Sequence, residues 1–334
     1  MKNNRCTAFV FAAFAGAILF CQQAVGKEEF PYYRKVNTTI HGSVRFVKTT
    51  HYESVDSTKS LTEADVTKFD VEEYDRNGYL KVSTSYNMTT FAISKETYDQ
   101  NKEQGVYVTS RYTQDGNLIS RGIYNEDKKG NLIEVKTTDG TTTNISQKYE
   151  YDKRGNLLQQ YLFNQNGSLN LRYLNQYDKN NKRISHSGFR GQNELFFKTA
   201  WRYNDNGQVI EIRRTSFGKT KTQQNVTMLQ YHEKNRIVEE KDSSNTGISY
   251  YKTVYDKKGN ISEIHSENRV LNTQRIFSRN KRGDIVQIRV YSRNVLTVLT
   301  QYLFDRWGNW IEKAEYDVLN KKKTVVKREI EYYH

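Results

Sequence analysis

The chain is predicted to be all-β, a long antiparallel β-meander of two-strand repeats of about 25 residues, coiled into a spiral sheet or solenoid. Three observations predict it. A turn phrase recurs along most of the chain; Tyr is used 25 times while proline occurs once; and residues alternate between aromatic or aliphatic and polar on both sides of the phrase. Aromatic and β-branched enrichment with period-two alternation is the signature of strands, and a fixed period outranks any local motif.

The phrase is an aromatic residue, Asp or Asn, two polar residues, Gly-Asn, then an aliphatic pair. It reads Tyr151-Asp152-Lys153-Arg154-Gly155-Asn156-Leu157-Leu158, Tyr255-Asp256-Lys257-Lys258-Gly259-Asn260-Ile261 and Phe304-Asp305-Arg306-Trp307-Gly308-Asn309-Trp310-Ile311. Its glycine position falls at Gly78, Gly130, Gly155, Asn181, Gly207, Asn235, Gly259, Gly283 and Gly308, and from Gly130 onward the intervals are 25, 26, 26, 28, 24, 24 and 25 residues. The Asp or Asn can bond forward to the backbone, and Gly supplies a positive φ at little strain. Asn181 and Asn235 reach the same conformation better than other residues with a side chain.

Before each turn the aromatics of Tyr149-Glu150-Tyr151, Trp201-Arg202-Tyr203 and Tyr302-Leu303-Phe304 share one face, expected to point inward. After each turn, strict alternation puts Ile133 with Val135 and Ile210 with Ile212. Looser turns near Asn166-Gly167, Gly191, Gly218, Asn245-Thr246-Gly247 and Asn294 return the chain for the next copy. Close to twenty strands at about 4.8 Å would make a sheet about 90–100 Å wide, and open twisted sheets rarely exceed about ten strands without curling. A coil with capped ends follows. Its first edge is expected at Val44–Tyr52 and its last at Val325–Tyr333, with charges guarding against edge pairing. Leu61–Asp70 is less regular, Leu61–Val66 being either a short helix or a loop, and about 87–105 an insertion breaks the period.

Lys2 and Arg5 precede an apolar run from Cys6 to Cys21 that ends in Ala24-Val25-Gly26. This reads as a secretory signal peptide over 1–26, with lipidation at Cys21 or retention as an anchor as alternatives. The organisation expected is therefore 1–26 signal, 27–70 lead-in and capping strand, and 71–334 repeat domain, with C-terminal capping strands about 311–334. Cleavage would leave no cysteine and one proline, Pro31, so neither disulfides nor Cys-ligated metals are expected. It would also leave 50 Lys and Arg against 38 Asp and Glu, a net of +12. Such a balance favours anionic partners, among them acidic glycan, lipopolysaccharide and anionic membrane surface. Nucleic acid fits the charge but has no supporting motif.

The phrase and its spacing resemble the YD repeat of the RHS-repeat family, over about Phe69 to Trp310. The copies at Tyr177–Asn181 and Tyr231–Asn235 depart from it. The resemblance implies spiralling β-sheets that form a shell around a toxin or a surface carbohydrate-binding structure. Large members of the family carry an Asp-Pro-x-Gly self-cleaving core followed by a toxin domain. No proline follows Pro31, so a small stand-alone member is expected, with the scaffold and without the payload.

No catalytic signature is found. The six histidines (His41, His51, His186, His232, His265 and His334) show no metal-ligand spacing, and Gly188–Gly191 reads as a turn. Asp75 with Glu73, and Glu329 with Glu331, lie two apart on a strand, the spacing a hydrolytic carboxylate pair could use. At Trp307-Gly308-Asn309-Trp310 the indoles could stack on sugar rings while Asn309 and Arg306 bond hydroxyls. These four residues are the candidate ligand site, and the glycines Gly78, Gly130, Gly155, Gly207, Gly259, Gly283 and Gly308 are structural. No cofactor or metal is expected. The function expected is an exported, non-enzymatic scaffold that binds envelope or extracellular ligand, foremost acidic glycan. A protein partner, as an accessory or immunity-like companion of a secreted effector, is the second reading and a polysaccharide hydrolase the third.

Overall fold

A computed structural model describes residues 40–334 apart from 55, 91–92, 102–104, 219–220, 233–235, 246 and 269. The signal segment, Pro31 and Asn235 lie outside the described residues. Among them no helix is long and apolar enough to cross a membrane.

Twenty-two antiparallel strands run in chain order from β1 (Val44–Ser54) to β22 (Lys322–Tyr332), broken by one 3-10 turn at Glu63–Asp65. Each strand pairs with its sequence neighbours, and β1 also pairs with β22 from Val44↔Tyr332 to Ser54↔Lys323. The sheet is thus a closed barrel. This corrects the expected spiral or solenoid: the two strands read as capping edges are each other's partners, and closure leaves no edge to protect. The stretch read as an insertion contains β4 (Ile93–Asn101), in register with the strands on either side.

The reason for closure is a β-bulge in every copy of the phrase. In the hairpin of β8 (Thr143–Tyr151) and β9 (Leu157–Phe163), Glu150 faces Gln159 and Tyr151 faces Leu157, so Leu158 has no partner. The same slip leaves out Ile133, Ile184, Ile210 and Ile311. A bulge bends its strand and increases twist, and one per repeat, with further bulges in hairpins closed at the opposite end, accumulates into the curvature that brings β1 to β22.

The bulge also corrects the expected alternation after each turn. Leu132 and Val135 are both 2 % exposed and pack in one cluster with Tyr124 and Tyr149, whereas Ile133 is 39 % exposed. The aliphatic pair of the phrase is one core residue followed by one bulge residue, with the next core position three residues on. Before the turns, Tyr149 and Tyr151, and Trp201 and Tyr203, share a face as expected. Most buried apolar side chains lie on this aromatic face, in clusters around Val44 and Leu80, around Tyr124 and Leu132, and around Val209, Ile212, Leu229 and Ile237.

Candidate functional site

Because neighbouring strands run in opposite directions, connections after even-numbered strands gather at one end of the barrel and those after odd-numbered strands at the other. The phrase occupies the first, the turn end. In each turn the first residue's amide donates to the carbonyl of the fifth and the glycine amide donates back to the first, as in Asp152 N–H to Asn156 (2.9 Å) and Gly155 N–H to Asp152 (3.1 Å). The Asp carboxylate accepts two further backbone amides, Arg154 at 2.8 Å and Asn156 at 2.9 Å. Gly155 has φ +86° and Asn181 φ +68°, the left-handed conformation expected of them. Hydrogen bonds from the Asn131 side chain and backbone hold the Asp127 carboxyl below its ordinary range. The same turn also appears where no copy was counted, at Thr113–Asn117 and Asn164–Ser168, both at the far end.

With the opening Asp or Asn folded under each turn, the tips present what lies between it and the left-handed residue. In the eight described turns of this end, at 75–79, 127–131, 152–156, 178–182, 204–208, 256–260, 280–284 and 305–309, those sixteen positions hold eleven exposed cations. They are Arg76, Lys128, Lys129, Lys153, Arg154, Lys179, Lys257, Lys258, Lys281, Arg282 and Arg306. The single acid among them is Asp205. A cleft of about 440 Å³ opens between two of these turns, lined by Lys257, Lys258, Arg279 and Phe277.

Consecutive turns are joined by a rung that sequence reading missed. In five copies the tyrosine opening the phrase donates its hydroxyl to a carbonyl at the start of the neighbouring strand: Tyr151 to Leu132 (2.8 Å), Tyr177 to Leu157 (3.0 Å), Tyr203 to Arg183 (2.7 Å), Tyr231 to Val209 (2.8 Å) and Tyr255 to Ile237 (2.8 Å), whereas the Tyr74 hydroxyl bonds Glu72 and the copies opened by Glu126 and Phe304 have no tyrosine to form one. Where the phrase has Arg279, its guanidinium reaches Ile261 at 3.3 Å instead. The signal was present, since the aromatic is Tyr rather than Phe at five of these positions.

The predicted Trp307–Trp310 corner lies at the barrel seam. Asn309 is buried and holds the chain preceding β1: its Oδ1 accepts from His41 N–H (2.5 Å) while its Nδ2 donates to His41 O (2.8 Å) and Tyr332 Oη (2.7 Å). Tyr332 Oη donates in turn to Asp305 (2.5 Å), and burial followed by that carboxylate pushes the Tyr332 hydroxyl up to about 12. The Arg328 guanidinium covers Trp310 at 3.5 Å from the ring centre. Trp307 stays 48 % exposed, with Arg306 at 5.2 Å.

Of the acid pairs, Glu329 and Glu331 bind Lys48 and Arg45 across the seam, and Asp75 accepts amides in its turn. A pair with a buried member is one the sequence reading passed over, Glu240 and the half-buried Asp242 on β15 (Arg236–Ser244). Glu240 is 6 % exposed, and burial, then Asp242, push its carboxyl up to about 7. Beside it Arg214 donates to Thr227 (3.0 Å), which donates to Asp242 (2.5 Å).

A second concavity, of about 400 Å³, spans β8 to β11 (Arg183–Arg190) on the aromatic face. Its lining is hydrogen-bonding groups and rings with no carboxylate, Lys or Arg: Gln147, Gln160, Asn175, His186 and Tyr173, with Leu157 and Leu162 beneath. Gln160 Nε2 bonds Gln147 Oε1 at 3.1 Å, His186 Nδ1 lies 2.9 Å from Asn175 Oδ1, and the Tyr173 and His186 rings stack with centres 5.7 Å apart. Gly188, read from sequence as part of a turn, belongs to strand β11, where a Cβ would come within 2.3 Å of Phe197. Only a glycine leaves room there for the Phe197 ring, whose centre lies 5.1 Å from that of His186.

No family model and no curated protein matches the chain. Among solved structures it is similar to the TcdB2-TccC3-Cdc42 complex, at 11 % identity and TM-score 0.39, covering 74 % of this chain and 18 % of that one. It is likewise similar to the Photorhabdus luminescens Tc holotoxin pore, at 11 % identity and TM-score 0.38, covering 75 % and 18 %. A third is a porin-like protein from Bacteroides uniformis, at 9 % identity and TM-score 0.31, covering 87 % and 98 %. The chain spans less than a fifth of the Tc chains that it matches. The likeness to the YD-repeat family therefore continues to rest on the turn phrase.

Proposed function

We propose that this protein is an exported, non-enzymatic binding barrel that holds carbohydrate of the cell envelope in the concavity around Tyr173, Asn175 and His186. The observation that carries the reading is the lining itself. Sugar rings present apolar C–H faces that pack on aromatic rings, while a few fixed amides and an imidazole orient the hydroxyls. No lining side chain is a fixed charge, so the ligand there is a neutral sugar rather than the acidic glycan that net charge alone suggests. Export is supported by the signal-like segment over 1–26.

The test is titration of neutral and acidic oligosaccharides at low and high salt. Binding of a neutral oligosaccharide should resist salt and weaken about tenfold or more in Tyr173→Ala and in Asn175→Ala; binding that ignores both substitutions would retire the site. A protein partner remains the second reading, favoured by Met228, Ile248 and Tyr250. These three lie exposed on the opposite face of neighbouring strands, where Lys241 stands between Met228 and Tyr250. A partner that co-purifies in high salt and is lost in Tyr250→Asp would support it.

A further inference from the structure

We propose that the turn end of the barrel is a docking rim for an anionic bilayer surface. The eleven exposed cations at the tips of eight turns face one exposed acid. At the far end the described connections expose Lys59, Lys221, Arg293 and Lys321 against Glu63, Asp115 and Asp139. The asymmetry is built by the turn itself. The Asp that the phrase requires is pulled under the backbone to accept amides, so its charge is withdrawn from the tip while Lys and Arg extend from it.

Neighbouring turns at this end are two strands apart, about 10 Å, and follow one another round the barrel. A linear polyanion could neutralise only an arc of such a ring, whereas a sheet of anionic headgroups can meet many of its tips at once. Two further features fit that partner. Trp307, half exposed beside Arg306, has the amphipathic ring that is enriched at bilayer interfaces. The cleft of about 440 Å³ between the turns at 256–260 and 280–284 brings Lys257, Lys258 and Arg279 together against one carboxylate, Asp256, which is tied up in bonds from its own turn. Attraction of basic segments to anionic leaflets is additive over the cations and screened by salt.

The experiment is vesicle co-sedimentation of the processed protein with phosphatidylglycerol–phosphatidylcholine vesicles, with pure phosphatidylcholine vesicles and free heparin as further arms. Binding is expected to the anionic vesicles only, to fall steeply with salt, and to drop at least tenfold when Lys128, Lys129, Lys153, Arg154, Lys257 and Lys258 are all changed to Gln. All six lie at exposed tips, and an unchanged circular dichroism melt shows that the barrel persists. Changing Lys59, Lys221, Arg293 and Lys321 to Gln should alter binding by less than about threefold. Trp307 emission should shift to the blue on vesicle addition, and the shift should vanish in Trp307→Phe. Equal loss in both charge variants, equal binding to phosphatidylcholine, or binding to heparin with none to anionic vesicles would overturn the proposal.

Discussion

The two ends of the barrel are built on different principles. At the turn end one phrase repeats with its bulge, with a tyrosine rung in five copies and apolar clusters behind it. At the far end the connections vary, from Gly191 to the two-residue turn at Arg293-Asn294 and the longer lead from β1 into the 3-10 turn at Glu63–Asp65. The aromatic face changes with them: Leu132, Val135 and Tyr149 lie near the phrase, and Thr227, Asp242 and Ser249 farther from it. Bulges occur toward both ends, so the lesson is that a closed sheet can concentrate its apolar core and its hydrogen-bonded staples at one end while it bends at both. The other end and the middle of the face are then free to carry polar groups.

The largest effect that tests this division should come from the apolar band. Leu132→Ala removes a core side chain and should cost about 3 kcal/mol, whereas Ile133→Ala removes its exposed neighbour at the bulge and should cost less than about 1 kcal/mol. Denaturant unfolding of the two variants measures the difference, and equal losses would mean that the bulge does not separate core from surface.

Next comes the boundary of the band at Glu240, which faces Leu229 on one side and Tyr251 on the other. Its carboxyl is raised to about 7 from an ordinary 4.5, so the folded state disfavours the ionised form. The penalty is absent below about pH 4.5, grows as pH rises toward 7 and is complete above it. Glu240→Gln should therefore gain stability relative to the parent between pH 5 and pH 8, by up to about 3 kcal/mol. A difference that stays flat across that range would show that the carboxyl is not held neutral.

The smallest effect belongs to a single rung. Tyr231→Phe deletes the hydroxyl bonded to Val209 and should cost about 1 kcal/mol. Amide exchange of the β14–β15 turn end (β14, Thr222–His232) should rise, with no change at the far end of the same strands. Uniform loosening would mean that the rungs do not staple the turn end locally.

Much of this was legible in the residues. Asp, Gly and the period of about 25 identified the turns because their chemistry is local: a carboxylate reaches amides two and four residues on, and Gly takes a positive φ without steric conflict. The aromatic face before each turn was legible for the same reason, since period two needs no partner strand. What came after the turns was misplaced. Ile133 and Ile210 are as aliphatic as their neighbours, and only pairing with the opposite strand shows that each is the extra residue of a bulge. Asn309 looked like a hydroxyl binder until the seam brought His41, 268 residues away in sequence, against it.

By itself, then, the sequence determined the class, the strand count to within a few, the turns and the aromatic face, because each follows from interactions spanning a handful of residues. Tertiary structure decided the closure, the bulge positions, the buried Glu240 and the concavity around Tyr173 and His186. Those depend on the sum of small bends over twenty-two strands and on which strands that sum makes neighbours, and no local stretch of residues carries either.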